Sequence, residues 1–132
     1  MSQSSVPSDR RYTKDHEWAQ ESEGLLTFGI TAFAVEQLGD ITLINLDVKV
    51  GSTVTAGKTF GTIESVKTLS DLYAPVSGKV VAVNDALESS PELVNEDPWG
   101  RGWMIRIEPS DGSVSTLMDR AAYESHVESS DH

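Results

Sequence analysis

The chain has no cysteine in its 132 residues. Disulfides, thiolate nucleophiles and cysteine-based metal sites are therefore excluded, and any sulfur chemistry has to come from an attached group. Basic residues are also scarce. Ten Lys and Arg stand against 21 Asp and Glu, a formal net charge of −11 and a pI near 4.5. Such a field repels the phosphates of nucleic acid, which is not an expected partner. It serves solubility, or it steers the protein toward basic surfaces on other proteins. No apolar run is long enough to cross a bilayer, so no membrane association is expected. The first eleven residues lack the apolar centre of a secretory signal and are too poor in basic residues for a transit peptide. A cytoplasmic bacterial protein is the simplest reading, with the mitochondrial matrix as the alternative for a mature eukaryotic form.

Several catalytic signatures are missing as well. No serine sits in a glycine-flanked nucleophile elbow, and neither a Gly-x-Gly-x-x-Gly stretch nor a P-loop is present. His16, His126 and His132 lack metal-ligand spacing, and the carboxylates show no calcium-loop pattern. The glycines read as turn residues.

What remains is an ordinary soluble composition, 38% hydrophobic, on a chain long enough for one domain with a modest core. Residues 1–10 read as a loose tail, 11–128 as a single domain that includes a C-terminal helix, and 129–132 as a frayed end. Residues 11–13 and 17–20 suggest a hairpin, followed by a strand over 25–30. Thr31 fits a helix N-cap for residues 32–38, which would bury Phe33, Val35 and Leu38 in part, and Gly39 fits the position just past the helix end. Residues 41–48 alternate apolar and polar, as a strand with one buried face does. A turn-rich connection over 50–58 leads to a hairpin over 59–74. A strand over 79–84, a polar loop over 85–97 with one helical turn, and a strand over 103–108 ended by Pro109 come next. The pattern turns helical from Ser113, with Asp119 as N-cap for residues 120–127 and Ala122, Tyr123 and Val127 at helical spacing. Trp18, Trp99 and Trp103 read as closing the core, each indole N–H needing a partner. The sum is a mainly β domain with short flanking helices, and the glycine-turn echoes on either side of residue 67 suit a small sandwich-like barrel.

The hairpin over 59–74 puts Lys67 at its tip, solvated and reachable by an enzyme. Taken alone, a lysine on a turn is a solubilising group, Glu17 beside Trp18 a surface carboxylate, and Asp71 a turn-favouring residue. The neighbours change this reading. Glu64-Ser65-Val66-Lys67 with Ser70-Asp71, followed by Tyr73-Ala74-Pro75-Val76-Ser77-Gly78, resembles the lipoylation hairpin of glycine cleavage system H proteins. Further matching blocks fall in the family's order: Tyr12-Thr13 with His16-Glu17-Trp18, Gly29-Ile30-Thr31 with Leu38-Gly39-Asp40-Ile41, and Pro98-Trp99-Gly100 with Gly102-Trp103-Met104-Ile105. Biotin carriers usually flank the lysine with methionine, and the lipoyl domains of 2-oxo acid dehydrogenases usually show Asp-Lys-Ala. Here the flanks are Val66 and Thr68.

The resemblance implies a barrel-sandwich hybrid like that of lipoyl and biotinyl carriers, and lipoic acid as an amide on Lys67. It implies a non-catalytic carrier of the glycine cleavage system. That carrier shuttles the aminomethyl group of glycine from the pyridoxal-phosphate glycine decarboxylase (P protein) to the aminomethyltransferase (T protein), and dihydrolipoyl dehydrogenase (L protein) reoxidises it. A lipoyl relay protein, passing lipoate to other carriers, is the alternative. Glu17 and Asp71, with Gln37, map onto a cleft around the loaded arm. Glu64, Ser65, Val66 and Ser70 map onto recognition by lipoate-attaching enzymes, and a monomer is expected. The family often has histidine where Gln37 stands, a smaller residue at Leu69, and proline within the segment over 47–51.

Overall fold

A computed structural model of the chain describes residues 9–110 and 117–130. Its elements run β1 (Arg11–Tyr12), β2 (Glu17–Ser22), β3 (Leu25–Ile30), α1 (Ala32–Leu38), β4 (Ile41–Leu46), β5 (Thr53–Val54), β6 (Thr59–Ser65), β7 (Leu69–Tyr73), β8 (Gly78–Val83), α2 (Ala86–Ser89), α3 (Glu92–Glu96), β9 (Ile105–Pro109) and α4 (Arg120–Ser130). The strands form a six-stranded sheet ordered β1-β2-β3-β9-β8-β5 and a three-stranded sheet ordered β4-β6-β7. Every strand pairing among the described residues is antiparallel. The two sheets face each other across one apolar layer, the expected barrel-sandwich architecture. Phe28 of β3 and Phe60 of β6 meet inside it with ring centroids 6.3 Å apart, and Leu26, Ile107 and Val80 face Ile44, Ile63 and Leu72, all fully buried or nearly so.

A second, aromatic cluster closes one end. Tyr12, Trp18 and Tyr123 are buried, with Trp99, Trp103, Met118 and Val127 against them. Tyr12 and Tyr123 stack at 4.7 Å. The Trp18 indole N–H donates to the Pro98 carbonyl at 3.0 Å, and the Arg10 guanidinium lies 4.6 Å from its ring centroid. Arg10 also donates to the Trp99 carbonyl. Residue 10, read from the sequence as part of a tail, is thus packed onto the domain; residues 1–8 lie outside the described part.

The local rules mostly hold. Thr31 caps α1 by accepting from the Ala34 N–H at 3.2 Å. Gly39 ends the helix with φ 79° and ψ −149°, a conformation open to glycine. Asp119 Oδ1 accepts from the Ala122 N–H at 2.9 Å at the start of α4. That helix buries Tyr123, but Ala122 is exposed. α4 also continues through Ser130, past the expected fraying at 129, while residues 131–132 are not described. Of the helical pattern expected from Ser113, residues 113–116 lie outside the described residues, and Met118 instead bridges to Tyr12.

Other differences have physical causes. The apolar positions of β4 change phase, from Ile41 to Ile44 and Leu46. A β-bulge between Ile41 and Leu43 absorbs the slip and leaves Leu43 47% exposed. The turn-rich connection contains β5, two residues paired with Gly78 and Lys79, too short to show a period. The polar loop holds two helices, each anchored by one fully buried side chain, Leu87 in α2 and Val94 in α3. β9 begins at Ile105 rather than Trp103, and Pro109 is its last paired residue rather than a break.

Gly29 shows how tight the join between the two clusters is. A Cβ at this position would lie 2.6 Å from the Trp18 ring, whose indole is already pinned. Gly29→Ala is expected to lower unfolding free energy by about 2 kcal/mol through overpacking, measured by urea denaturation; a stability equal to that of the unsubstituted protein would contradict this packing.

Candidate functional site

The hairpin of β6 and β7 displays Lys67 through a turn that Ser65 organises. The Ser65 N–H donates to the Thr68 carbonyl at 2.8 Å, and Ser65 Oγ accepts from the N–H groups of Lys67 and Thr68 at 3.1 and 3.2 Å. Ser65 is buried, so its hydroxyl works within the turn. The Val66 N–H donates to the Asp40 carbonyl at 3.0 Å, tying the tip to the start of β4. From α3, Asn95 fixes the adjoining corner, accepting from the Ile41 N–H and donating to the Gly39 carbonyl. Lys67 itself is exposed. Its stem runs past Gly39, where a Cβ would sit 3.6 Å from Lys67 Cε. The backbone of the tip is thereby fixed while the amine stays in solvent.

A cleft of about 350 Å³ opens between the two sheets and α1. Asp15 and His16 line it from the β1–β2 turn, Glu17 from the start of β2, Phe33, Ala34, Gln37 and Leu38 from α1, and Ile63, Ser70, Asp71 and Leu72 from the hairpin, with Ile30 behind. Glu17, Asp71, Gln37 and Ser70 are therefore brought into one cavity. Lys67, Glu64, Ser65 and Val66 stay on the hairpin outside its lining. Gln37 and Leu38 directly precede Gly39, so the cleft wall leads to the stem of Lys67.

Glu17 is 3% exposed. Its Oε2 accepts from the Tyr73 N–H at 2.7 Å, while Oε1 is buried with no hydrogen-bond partner among the described residues. Desolvation pushes its pKa up to about 8, against the lowering effect of the Tyr73 N–H, and Asp15 adds a smaller upward push. At neutral pH this carboxyl is mainly protonated. A cation placed beside Oε1 would reverse the balance and favour the carboxylate. Asp71, by contrast, is exposed, with Oδ2 3.5 Å from the Tyr73 hydroxyl. The cleft has a buried acid at its floor and a solvated one at its rim.

His16 belongs to the wall as well. It sits in the left-handed region, at φ 66°, uncommon for a residue with a Cβ. Its carbonyl accepts from the Thr31 N–H at 3.0 Å. Its Nδ1 is hydrogen-bonded to the Tyr123 hydroxyl at 2.9 Å, and that hydroxyl is hydrogen-bonded to Thr31 Oγ1 at 2.7 Å. One phenol from α4 thus joins the turn carrying Glu17 to the cap of α1. Burial raises the Tyr123 pKa to about 12. Burial also lowers that of His16, with nearby His126 acting in the same direction and Asp15 opposing. Sequence reasoning did not single out His16, Phe33 or Tyr123 for this site. The clue was limited to His16 adjoining Glu17.

An exposed lysine on a hydrogen-bonded hairpin tip, next to a cleft between two β layers, is the arrangement of a carrier domain. The glycine cleavage H-protein family model matches residues 10–130. The glycine cleavage system H protein of Anaeromyxobacter sp. (strain K) is 51% identical over 124 residues, covering 93% of this chain and 96% of that one. That of Myxococcus xanthus is 51% identical over 126 residues, covering 95% and 97%. The crystal structure of a glycine cleavage system H protein from Mycobacterium marinum superposes with a TM-score of 0.85 at 40% identity, covering 92% of this chain and 98% of that one. The chain belongs to the glycine cleavage H-protein family. Membership gives it the lipoyl-carrier role in glycine cleavage rather than that of a lipoyl relay. Among the described residues, no helix is long and apolar enough to cross a membrane.

The sign of the Glu17 effect on stability is set by its shift. The folded pKa of about 8 lies above the ordinary 4.5. The contribution is fully present below pH 4.5 and is lost as pH rises to 8, by roughly 3–5 kcal/mol. In Glu17→Gln this loss is absent. Urea denaturation at pH 5 and pH 8 should therefore show the stability difference moving in favour of the variant as pH rises; the same pH dependence in both proteins would contradict a buried, protonated Glu17.

Proposed function

We propose that Lys67 carries lipoic acid in amide linkage. Glu17, Asp71 and Gln37 then form the polar part of a cleft that shelters the arm between visits to the partner enzymes. The observation that carries this reading is the buried, unpartnered Oε1 of Glu17 inside a cleft whose wall leads to the stem of Lys67. The lipoyl group, when bound, supplies the disulfide and dithiol chemistry that a cysteine-free chain lacks.

The chain's own residues then have distinct tasks. Ser65, Asp40 and Asn95 hold the tip, so that the arm pivots at the Lys67 side chain rather than through hairpin motion. Phe33, Leu38, Ile63 and Leu72 offer an apolar wall to an alkyl stem. Each buried methylene contributes about 0.8 kcal/mol, so a few suffice for reversible docking. Glu17 Oε1 accepts a hydrogen bond from a cationic amine and ionises as it does so, and the closed wall limits water. Asp71 adds a negative charge at the rim, and Gln37 can donate or accept without titrating. Tethering raises the local concentration of the arm's end at each enzyme. The protein performs no catalysis of its own. Its partners are the glycine decarboxylase, the aminomethyltransferase, dihydrolipoyl dehydrogenase and the lipoate-attaching enzymes, and it acts as a monomer.

Reconstitution with the three enzymes tests this reading. The lipoate-loaded protein should sustain glycine- and tetrahydrofolate-dependent NADH formation, and Lys67→Arg should give none. NADH formation by the Lys67 variant, or its absence with the loaded protein, would overturn the proposal. Once loaded by the decarboxylase, Glu17→Gln should release formaldehyde and ammonia about tenfold faster, the effect of losing roughly 1.4 kcal/mol of shelter. Leakage unchanged from the unsubstituted protein would remove Glu17 from the cleft's function.

A further inference from the structure

His16, Tyr123 and Thr31 are joined by a chain of hydrogen bonds whose direction can be worked out. The Tyr123 hydroxyl lies 2.7 Å from Thr31 Oγ1 and 2.9 Å from His16 Nδ1. Thr31 is fully buried, and its Oγ1 already accepts from the Ala34 N–H. Among the described residues, the Tyr123 oxygen is the acceptor open to the Thr31 hydroxyl hydrogen. Thr31 therefore donates to Tyr123, and Tyr123 donates to His16 Nδ1. The imidazole is then neutral, with its proton on Nε2. Protonating Nδ1 would turn the phenol hydrogen back onto Thr31. The buried Thr31 hydroxyl would lose its acceptor, which is costly.

We propose that Tyr123 is a positioning residue that keeps His16 a neutral part of the cleft wall, so that a cationic amine on the Lys67 arm meets Glu17 without a competing positive charge. This rests on the carrier reading and adds to it two residues outside the hairpin. His16 and Glu17 are consecutive and line the same cleft. An imidazolium there would pair with the Glu17 carboxylate and repel the amine. Burial is the main influence on the ring and disfavours its charge; His126 acts in the same direction and Asp15 opposes. The ring of His126 lies 5.3 Å from that of His16, and its Nε2–H donates to the Lys14 carbonyl at 3.0 Å. From the hairpin, Asp71 faces the same cleft, while α1 brings Phe33 and Thr31, which do not titrate. α4 thus holds the turn through Tyr123 and His126, and Tyr123 is itself fixed by its stack on Tyr12.

Proton–nitrogen correlation NMR of the unmodified protein reads the ring directly. His16 should show a bare Nδ1 and a protonated Nε2, with a pKa below the ordinary 6.5. Tyr123→Phe keeps the ring stack and should raise that pKa by about one unit, the worth of one hydrogen bond. A neutral ring protonated on Nδ1, or an unchanged pKa in the variant, would overturn the positioning role independently of the arm. The second readout is release of formaldehyde and ammonia from aminomethyl-loaded protein. In His16→Asn the new side chain tolerates a positive φ and never titrates. Release by the unsubstituted protein, divided by release by His16→Asn at the same pH, should be flat above the His16 pKa. It should climb about tenfold as pH falls through that pKa, and in Tyr123→Phe the climb should begin at higher pH. A merely structural role gives a ratio constant with pH, and that result would overturn the inference. If Glu17→Gln still leaks faster in that case, the carrier reading stands; if Glu17→Gln leaks like the unsubstituted protein, the sheltering cleft falls as well.

Discussion

The contact between the Glu17 carboxyl group and the Tyr73 N–H joins β2 of the larger sheet to β7 of the smaller one. It is a polar bridge across an otherwise apolar layer, and it is half complete. One oxygen accepts from a backbone donor of β7; the other meets no hydrogen-bond partner among the described residues. A buried carboxyl with one empty side is costly as an anion, which is why it holds its proton to about pH 8. The sheltering role proposed for the cleft depends on that incompleteness. A fully satisfied pair would only close the sandwich, while an open oxygen leaves the cavity ready for a donor of positive charge.

The aromatic end cluster keeps this arrangement in place. His16 occupies a backbone region that side chains avoid, and strain of this kind persists where surrounding contacts over-determine it. Here the contacts are the Thr31 N–H on its carbonyl, the Tyr123 hydroxyl on its ring and the Phe33 ring 4.6 Å away. Tyr123 is in turn stacked on Tyr12, and the same cluster holds Trp18, the residue after Glu17. The C-terminal helix therefore braces the cleft wall from behind through Tyr123, without contributing a side chain to the lining. Packed walls beside a hydrogen-bonded hairpin tip, with the Lys67 side chain exposed, suit the arm proposed there.

Much of this was legible in the sequence where the determinants are local. The β6–β7 hairpin, the Thr31 cap, the Gly39 stop and the Asp119 cap each follow from a few adjacent residues. The matching blocks identified the family and pointed to Glu17, Asp71 and Gln37, which do share one cavity. What escaped was set by distance along the chain or by brevity. Glu17 and Tyr73 are 56 residues apart, so nothing local distinguishes a buried, protonated Glu17 from a surface carboxylate. Thr31 and Tyr123 are 92 apart, and the positive φ of His16 has no glycine to announce it. β5, α2 and α3 are too short for periodicity, and each depends on one or two buried anchors. The β4 bulge was readable in principle, since the apolar phase changes between Ile41 and Ile44, but an average over the strand hides it.

The claim on which the account rests is that Lys67 is the point of lipoyl attachment. Intact mass of the protein produced in a lipoate-supplied host, with peptide mapping of the hairpin, tests it most directly. A single lipoyl increment is expected, confined to the peptide containing Lys67 and missing in Lys67→Arg. An unmodified protein, or the same increment at another lysine, would contradict it.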